Sequence, residues 1–280
     1  VGTKMELAER IGDHSTIAYD LFAMVCDDAV VRGAEPVMIG SILDVNSLKD
    51  RNDKPYFTEV KQLAEGYINA ANAAHVAVVN GEVAELGNRV GGYGSNNFVA
   101  TLAHEYIAKC LNQHNYKSIS KLSWWVNETN EKKRAALVKK MSHPEIEFVD
   151  SITKLSTLNY NWGAAVVWFA DEKRMFTGKE IQEGDTLVGL REEGFRSNGL
   201  SLVRKIMEKN YGDEWHNEPF SDRTLGEAVL TPSRIYTKAV VDMFGGYNGE
   251  PKAKVHGVAH ITGGGIPEKL GRMLKPSGLG

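Results

Sequence analysis

The stretch "GFRSNGLSLVRKI" (194–206) sets Gly194, Ser197, Asn198 and Gly199 directly before a run in which Leu200, Val203, Ile206 and Met207 recur at helical spacing. Thr186-Leu187-Val188-Gly189-Leu190 precedes it and reads as a short buried strand. Strand, glycine turn, helix is an order that aims free backbone N–H groups and a positive helix end at one spot, where a phosphate is stabilised. The same residues also suit an ordinary capped helix, with Ser197 or Asn198 as N-cap. "AHITGGGIPEKL" (259–270) repeats the pattern. Thr262, Gly263, Gly264 and Gly265 lie ahead of Pro267 in a first helical turn, as a second phosphate turn or as a hinge. His260 stands before these glycines as a phosphate contact or proton donor. His256 and His260 lie four apart but lack acidic or cysteine partners at ligand spacing.

The opening "VGTKMELA" joins Gly2, Thr3 and Lys4, which again suits an anion. Carboxylates at the ends of apolar segments need a counter-ion or a pair, which singles out Asp27, Asp28, Glu82 and Glu85. Adjacent helical residues point about 100° apart, so Asp27 and Asp28 do not both face one site. Mg²⁺ takes one or two carboxylates and completes its shell with phosphate and water. The Walker A pattern, a GxSxG elbow and an HExxH pair are absent.

These groups need elements to hold them. Residues 20–32 read as a helix with Asp20 as its cap and Gly33 as its end, 36–45 as a strand, 55–76 as a helix and 77–86 as a strand. Residues 161–170 read as a strand, 224–244 as a helix broken at Pro232, and 254–274 as strand, triple glycine, helix. The order indicates an α/β or α+β chain, divided near residue 175 into 1–175 and 176–280. Residues 95–155, with Trp124-Trp125 and "EKKRAALVKK", differ in character and form an inserted segment. Glu128 and Glu131 among those basic residues favour a solvated amphipathic helix over a nucleic-acid surface.

The chain has 280 residues and a net charge of −3, so no general attraction to nucleic acid or anionic membrane exists. Its two cysteines build no disulfide framework, and Cys26 sits in an apolar helical stretch as a packing residue. The longest apolar run, 162–170, is too short to cross a bilayer. Residue 1 is Val and the chain stops on "LKPSGLG", so both ends are expected to be truncated.

Taken in order, "VGTK", "DLFAMVCDDAVVRGAEP", "NGEVAEL", "RSNGLSLVRKI", "LTPSRIYTKAV" and "VHGVAHITGGGIPEKL" resemble the phosphoribosylformylglycinamidine cyclo-ligase (aminoimidazole ribonucleotide synthetase) family over residues 1–90 and 160–274. The resemblance implies two α/β domains, an amino-terminal sheet that builds a homodimer's barrel, and a carboxy-terminal mixed sheet with helices. It further implies cytoplasmic, ATP- and Mg²⁺-dependent ring closure of formylglycinamidine ribonucleotide in purine biosynthesis. Carried over by position, it puts the phosphate loop on Gly2, Thr3 and Lys4 and the helix Asp on Asp28. The glutamates fall on Glu82 and Glu85, and the turn residues on Asn198 and His260. From these we assign Asp28 and Glu82 to metal, and Lys4, Asn198 and His260 to catalysis. Arg196, Ser197, Asn198, Gly199, Thr262, Gly263, Gly264 and Gly265 join the amino-terminal loop in binding phosphate.

Four positions depart from the family pattern: Arg196 replaces a His, Asp27 an Asn, Asn80 a Gly and Val83 a Thr. Arg196 keeps a cationic donor but does not shuttle a proton near neutral pH. Formylglycinamidine ribonucleotide synthetase and selenophosphate synthetase are related alternatives, as is a nucleotide-binding paralogue without turnover.

Overall fold

A computed structural model describes residues 2–50, 53–112, 116–128, 130–153 and 157–279; Val1 and Gly280 of the two terminal motifs lie outside them. The chain divides into two compact units. One takes residues 1–44, 57–84 and 161–280, and the other 45–56 and 85–160.

The first unit begins with α1 (Thr3–Ile11), α2 (Ile17–Val30), β1 (Glu35–Val45), α3 (Phe57–Ala74) and β2 (Ala77–Glu85). The second unit holds α4 (Asn96–Asn112), α5 (Tyr116–Asn127), α6 (Glu131–Val138) and α7 (His143–Thr153). The chain then returns through β3 (Tyr160–Phe169) to α8 (Leu200–Tyr211), the short strands β4 (Pro219–Phe220) and β5 (Arg223–Thr224), α9 (Leu225–Leu230), α10 (Thr237–Phe244) and α11 (Gly265–Leu274). One sheet has the order β2-β1-β3, and β4 pairs antiparallel with β5. The content is mixed α and β with small sheets.

The core of the first unit follows from the apolar stripes of α2 and α3. Ile17, Ala18, Leu21, Phe22 and Val30 are buried from α2, and Leu63, Ala70 and Ala74 from α3. Tyr67 of α3 meets Phe22 edge to face and stacks on Trp162, with ring centroids 5.1 and 5.2 Å away. Cys26 is fully buried, and burial pushes its thiol up to about 12, which makes it a packing group rather than a nucleophile. A second cluster joins Val30, Phe176, Val240 and Phe244. In the second unit, Val99, Ala103, Ile107, Leu122, Trp125, Met141, Val149 and Ile152 pack together. The Arg134 guanidinium lies 4.2 Å over the Trp125 ring, so part of the basic run covers an apolar core.

Three expectations need correction. Residues 186–190 are not a buried strand: they have no ladder partner among the described residues, and Leu187 and Val188 are 75% and 70% exposed. Residues 254–261 likewise run without regular structure. A β-branched, apolar run forms a strand only when a neighbour supplies its ladder. Asp20 is not a cap. α2 starts at Ile17, which places Asp20 inside the first turn with its side chain buried.

Where α3 crosses residues 13–16, its backbone comes close. A Cβ at Gly66 would overlap Ser15 O, so this helical glycine is required by packing. Gly66→Ala is expected to lower the urea midpoint, losing about 2 kcal/mol from overpacking although alanine gains ~1 kcal/mol in helix propensity. In the same segment His14 is buried, and burial pushes its imidazole down to about 4. The folded protein holds His14 neutral while the unfolded chain protonates it. Stability is therefore fully present above pH ~6.5 and is lost as pH falls toward about 4, on the order of 3 kcal/mol in all. Denaturation midpoints measured across this range should fall for the wild type and show a shallower slope for His14→Leu.

Candidate functional site

Three helices in the first unit start on glycine with no side chain bonded to the cap. Gly2 precedes α1, Gly199 precedes α8 and Gly264 precedes α11. Gly199 and Gly264 take φ of +81° and +90°, a left-handed geometry that strains any other L-residue. The starts lie beside one another. Thr3 Oγ1 is 3.1 Å from Ser201 Oγ in the first turn of α8, and a Cβ at Gly263 would lie 3.9 Å from Asn198 Oδ1. Neither Ser197 nor Asn198 caps α8: Ser197 Oγ donates to Asp20 Oδ1 at 3.0 Å, and Asn198 Nδ2 contacts Met24 Sδ at 3.5 Å. The first N–H groups of α1 and α8 have no intrahelical acceptors and can meet an anion, whereas Gly265 N at the start of α11 already donates to Thr262 O at 3.0 Å.

Lys4 sits beneath this cluster, not in it. Its ammonium is fully buried and donates to Asp20 Oδ1 at 2.9 Å, Phe195 O at 2.9 Å and Thr231 O at 2.6 Å. All three N–H bonds are thus spent inside the protein. Burial lowers the Lys4 pKa, and the Asp20 charge opposes that shift. Asp20 Oδ1 also accepts from Ser233 Oγ at 2.5 Å. One buried pair therefore fastens α1, α2, the 194–199 turn and the 231–233 loop.

Arg196 is held as tightly. Nη1 donates to Glu192 Oε2 at 2.6 Å and Arg234 O at 2.8 Å, and Nη2 donates to Asp27 Oδ2 at 3.0 Å. His260 Nε2 lies 3.3 Å from Nη2, and the Tyr236 ring lies under the guanidinium at 5.2 Å. Asp27 is buried; its other oxygen accepts from Tyr236 N at 3.1 Å and Thr237 Oγ1 at 2.8 Å. Burial raises the Asp27 pKa, opposed by Thr237 and Arg196. Burial also works against the Glu192 carboxylate, but bonds from Glu193 N and Arg196 hold its pKa below the usual range. His260 Nδ1 is 2.7 Å from Asp28 Oδ1, whose side chain is 61% exposed.

The structure thus brings Thr3, Ser197, Asn198, Gly199, Gly263, Arg196, His260 and Asp28 into one connected region, flanked by Gly2, Thr262, Gly264 and Gly265. Glu82 lies exposed on β2, and Glu85 closes that strand. Among the described residues no cluster of three or more His, Cys, Asp or Glu has metal-site geometry. Sequence reasoning missed Asp20, Glu192, Ser233 and Thr237, which secure the cationic side chains. The available signal was Asp20 itself, a carboxylate within an apolar helical face that needs a buried partner.

The geometry predicts that Lys4→Met leaves Asp20 buried and unpaired. Loss of about 3–5 kcal/mol is expected in chemical denaturation, with Lys4→Met/Asp20→Leu recovering part of it. A wild-type midpoint for Lys4→Met would refute this role.

Comparison with known proteins supplies the family. Residues 1–103 match the model of the AIR synthase related protein N-terminal domain, and residues 182–280 match that of its C-terminal domain. Curated relatives carry the name phosphoribosylformylglycinamidine cyclo-ligase, the following three among them. The Nitrosococcus oceani protein is 28% identical, over 99% of this chain and 55% of its own length. The Gloeothece citriformis protein is 28% identical, over 98% and 58%. The Desulfitobacterium hafniense protein is 30% identical, over 100% and 59%. The chain therefore spans a little over half the length of the curated relatives it matches. With both domain models matched in order and together covering more than half of the sequence, the chain belongs to the AIR synthase related protein family.

Proposed function

We propose that this chain carries the nucleotide site of an ATP-dependent cyclo-ligase that closes formylglycinamidine ribonucleotide to aminoimidazole ribonucleotide in purine biosynthesis. One observation carries the reading: three glycine-started, uncapped helix N-termini adjoin in the first unit. Each contributes roughly half a positive charge, and α1 and α8 add first-turn N–H groups without helical acceptors, which suits a triphosphate. ATP supplies the phosphoryl group that activates the amide oxygen for attack by the ring-closing nitrogen. The residues' part is positioning and charge neutralisation, the main sources of rate in phosphoryl transfer.

In this reading, backbone N–H groups after Gly2, Gly199 and Gly264 bind phosphate, assisted by the Asn198 amide and the Thr3 and Thr262 hydroxyls. Lys4 and Arg196 serve by holding the turns. Asp28, exposed beside His260, offers one carboxylate oxygen to Mg²⁺, and Glu82 is the second candidate; a magnesium ion on phosphate needs no more from the protein.

We further place a homodimer on the β2-β1-β3 sheet, where Ile42, Val78, Val79, Val83, Val167 and Trp168 are exposed. A dimer barrel, a domain boundary near residue 175, residues 95–155 as an insertion and a cytoplasmic location belong to the same proposal. No helix among the described residues is long and apolar enough to cross a membrane.

A second reading, a nucleotide-binding paralogue without turnover, draws support from the burial of Lys4 and the engagement of Arg196. Steady-state ADP release with ATP and formylglycinamidine ribonucleotide separates the two. The cyclo-ligase reading expects turnover, and on the order of 100-fold lower kcat/KM in Asn198→Ala. Unchanged turnover in that variant would remove Asn198 from the site. Nucleotide binding without ADP release by the wild type would select the paralogue.

A further inference from the structure

The four terminal N–H bonds of Arg196 point at four acceptors: Glu192 Oε2, Arg234 O, Asp27 Oδ2 and His260 Nε2. A guanidinium is always a donor, so His260 Nε2 must meet it with its lone pair. The remaining ring proton then sits on Nδ1, directed at Asp28 Oδ1 at 2.7 Å. We propose that Arg196 is a positioning residue, whose fork locks His260 as the Nδ1–H tautomer and so fastens the His260 turn to the Asn198 turn. Asp27 is the counter-charge that keeps the fork in place.

Geometry supports this on each side. Asp27 is itself fixed by Tyr236 N and Thr237 Oγ1, so the carboxylate facing Arg196 is immobilised on α10 as well as α2. Glu192 is four residues before Arg196 and accepts from the other side of the fork. The Tyr236 ring closes the guanidinium face. Arg196 reaches the second turn solely through His260 among its bonded partners, and Asn198 Oδ1 stands next to Gly263 of that turn. With its four terminal N–H groups engaged, Arg196 keeps only its Nε–H for a further acceptor in this conformation. That redirects the phosphate role expected of it toward alignment.

The inference rests on the nucleotide-site reading only in its binding consequence; the tautomer assignment stands on hydrogen-bond geometry alone. Long-range ¹⁵N–¹H correlations of the ring, recorded on ¹⁵N-histidine-labelled protein at mildly alkaline pH, report the tautomer directly. The His260 signal is assigned by its loss in His260→Gln. The wild type is expected to show the Nδ1–H form. In an Asp28→Ala background, where Nδ1 no longer faces a carboxylate, adding Arg196→Met/Asp27→Asn removes the buried pair, leaves the half-buried Glu192 to its bonds from Glu193 N, Arg234 N and Tyr236 Oη, and should move His260 toward the Nε2–H form. ADP affinity, measured by calorimetry on the same samples, should weaken about tenfold.

An Nε2–H ring in the wild type, or a tautomer that stays the same when Arg196→Met/Asp27→Asn is added to Asp28→Ala, would overturn the proposal. A tautomer change without weaker ADP binding would overturn the alignment role. Failure of the wild type to bind ADP would overturn the nucleotide-site reading and leave the tautomer result standing.

Discussion

The buried Lys4–Asp20 pair is the constraint on which the rest of the site depends. An ammonium and a carboxylate removed from water are costly, and only good geometry with further hydrogen bonds offsets that cost. Here the ammonium has three acceptors, and one carboxylate oxygen takes three donors. Those partners come from four stretches far apart in sequence. Satisfying the pair therefore forces the start of α1, the first turn of α2, the turn before α8 and the loop after α9 into contact. The glycine-started helices α1 and α8 inherit their relative placement from it. Asp20 Oδ2 is buried and has no partner among the described residues, so the arrangement is secured through one oxygen.

Much of the fold was legible because long helices and central strands carry their own periodicity. α2, α3, β1, β2, β3 and α8 fall close to their expected ranges, and Pro232 separates α9 from α10. The failures share a cause. Residues 186–190 have the composition of a strand, yet a strand is a property of a pair, and no local pattern supplies the neighbour. Leu187 and Val188 remain exposed for that reason. Asp20 looked like a cap since caps and buried carboxylates share residue types; the difference lies in Lys4, sixteen positions earlier.

The site was legible as a set of turns but not as a set of roles. Glycines ahead of apolar periodic runs gave the helix starts at Gly199 and Gly264, and the structure adjoins them. Lys4 was assigned to phosphate from the glycine-hydroxyl-lysine pattern and the family resemblance, and Arg196 as the cationic donor standing where the family has a His. Sequence spacing does not reveal that Asp20, Glu192 and Asp27 lie within reach. Asp27 and Asp28, adjacent in sequence, divide as helical geometry requires: one is buried under Arg196 and the other exposed beside His260.

This division shapes the electrostatics that a bound nucleotide would meet. With Lys4 neutralised by Asp20, and Arg196 facing both Asp27 and Glu192, no cationic side chain of this set presents a free charge to the turns. Attraction for phosphate would come from backbone N–H groups and helix ends, which are fixed in direction and need no reorganisation. Asp28 opposes it, being exposed at the same edge. A triphosphate on these turns would experience Asp28 as a repulsive neighbour unless a divalent cation lay between them, since like charges in a partly desolvated site interact strongly. An acidic residue that weakens bare-anion binding is the arrangement expected of a site selective for the metal–nucleotide complex over the free nucleotide. The same carboxylate, by accepting the His260 Nδ1 proton, would couple cation binding at the edge to the histidine that links the two turns.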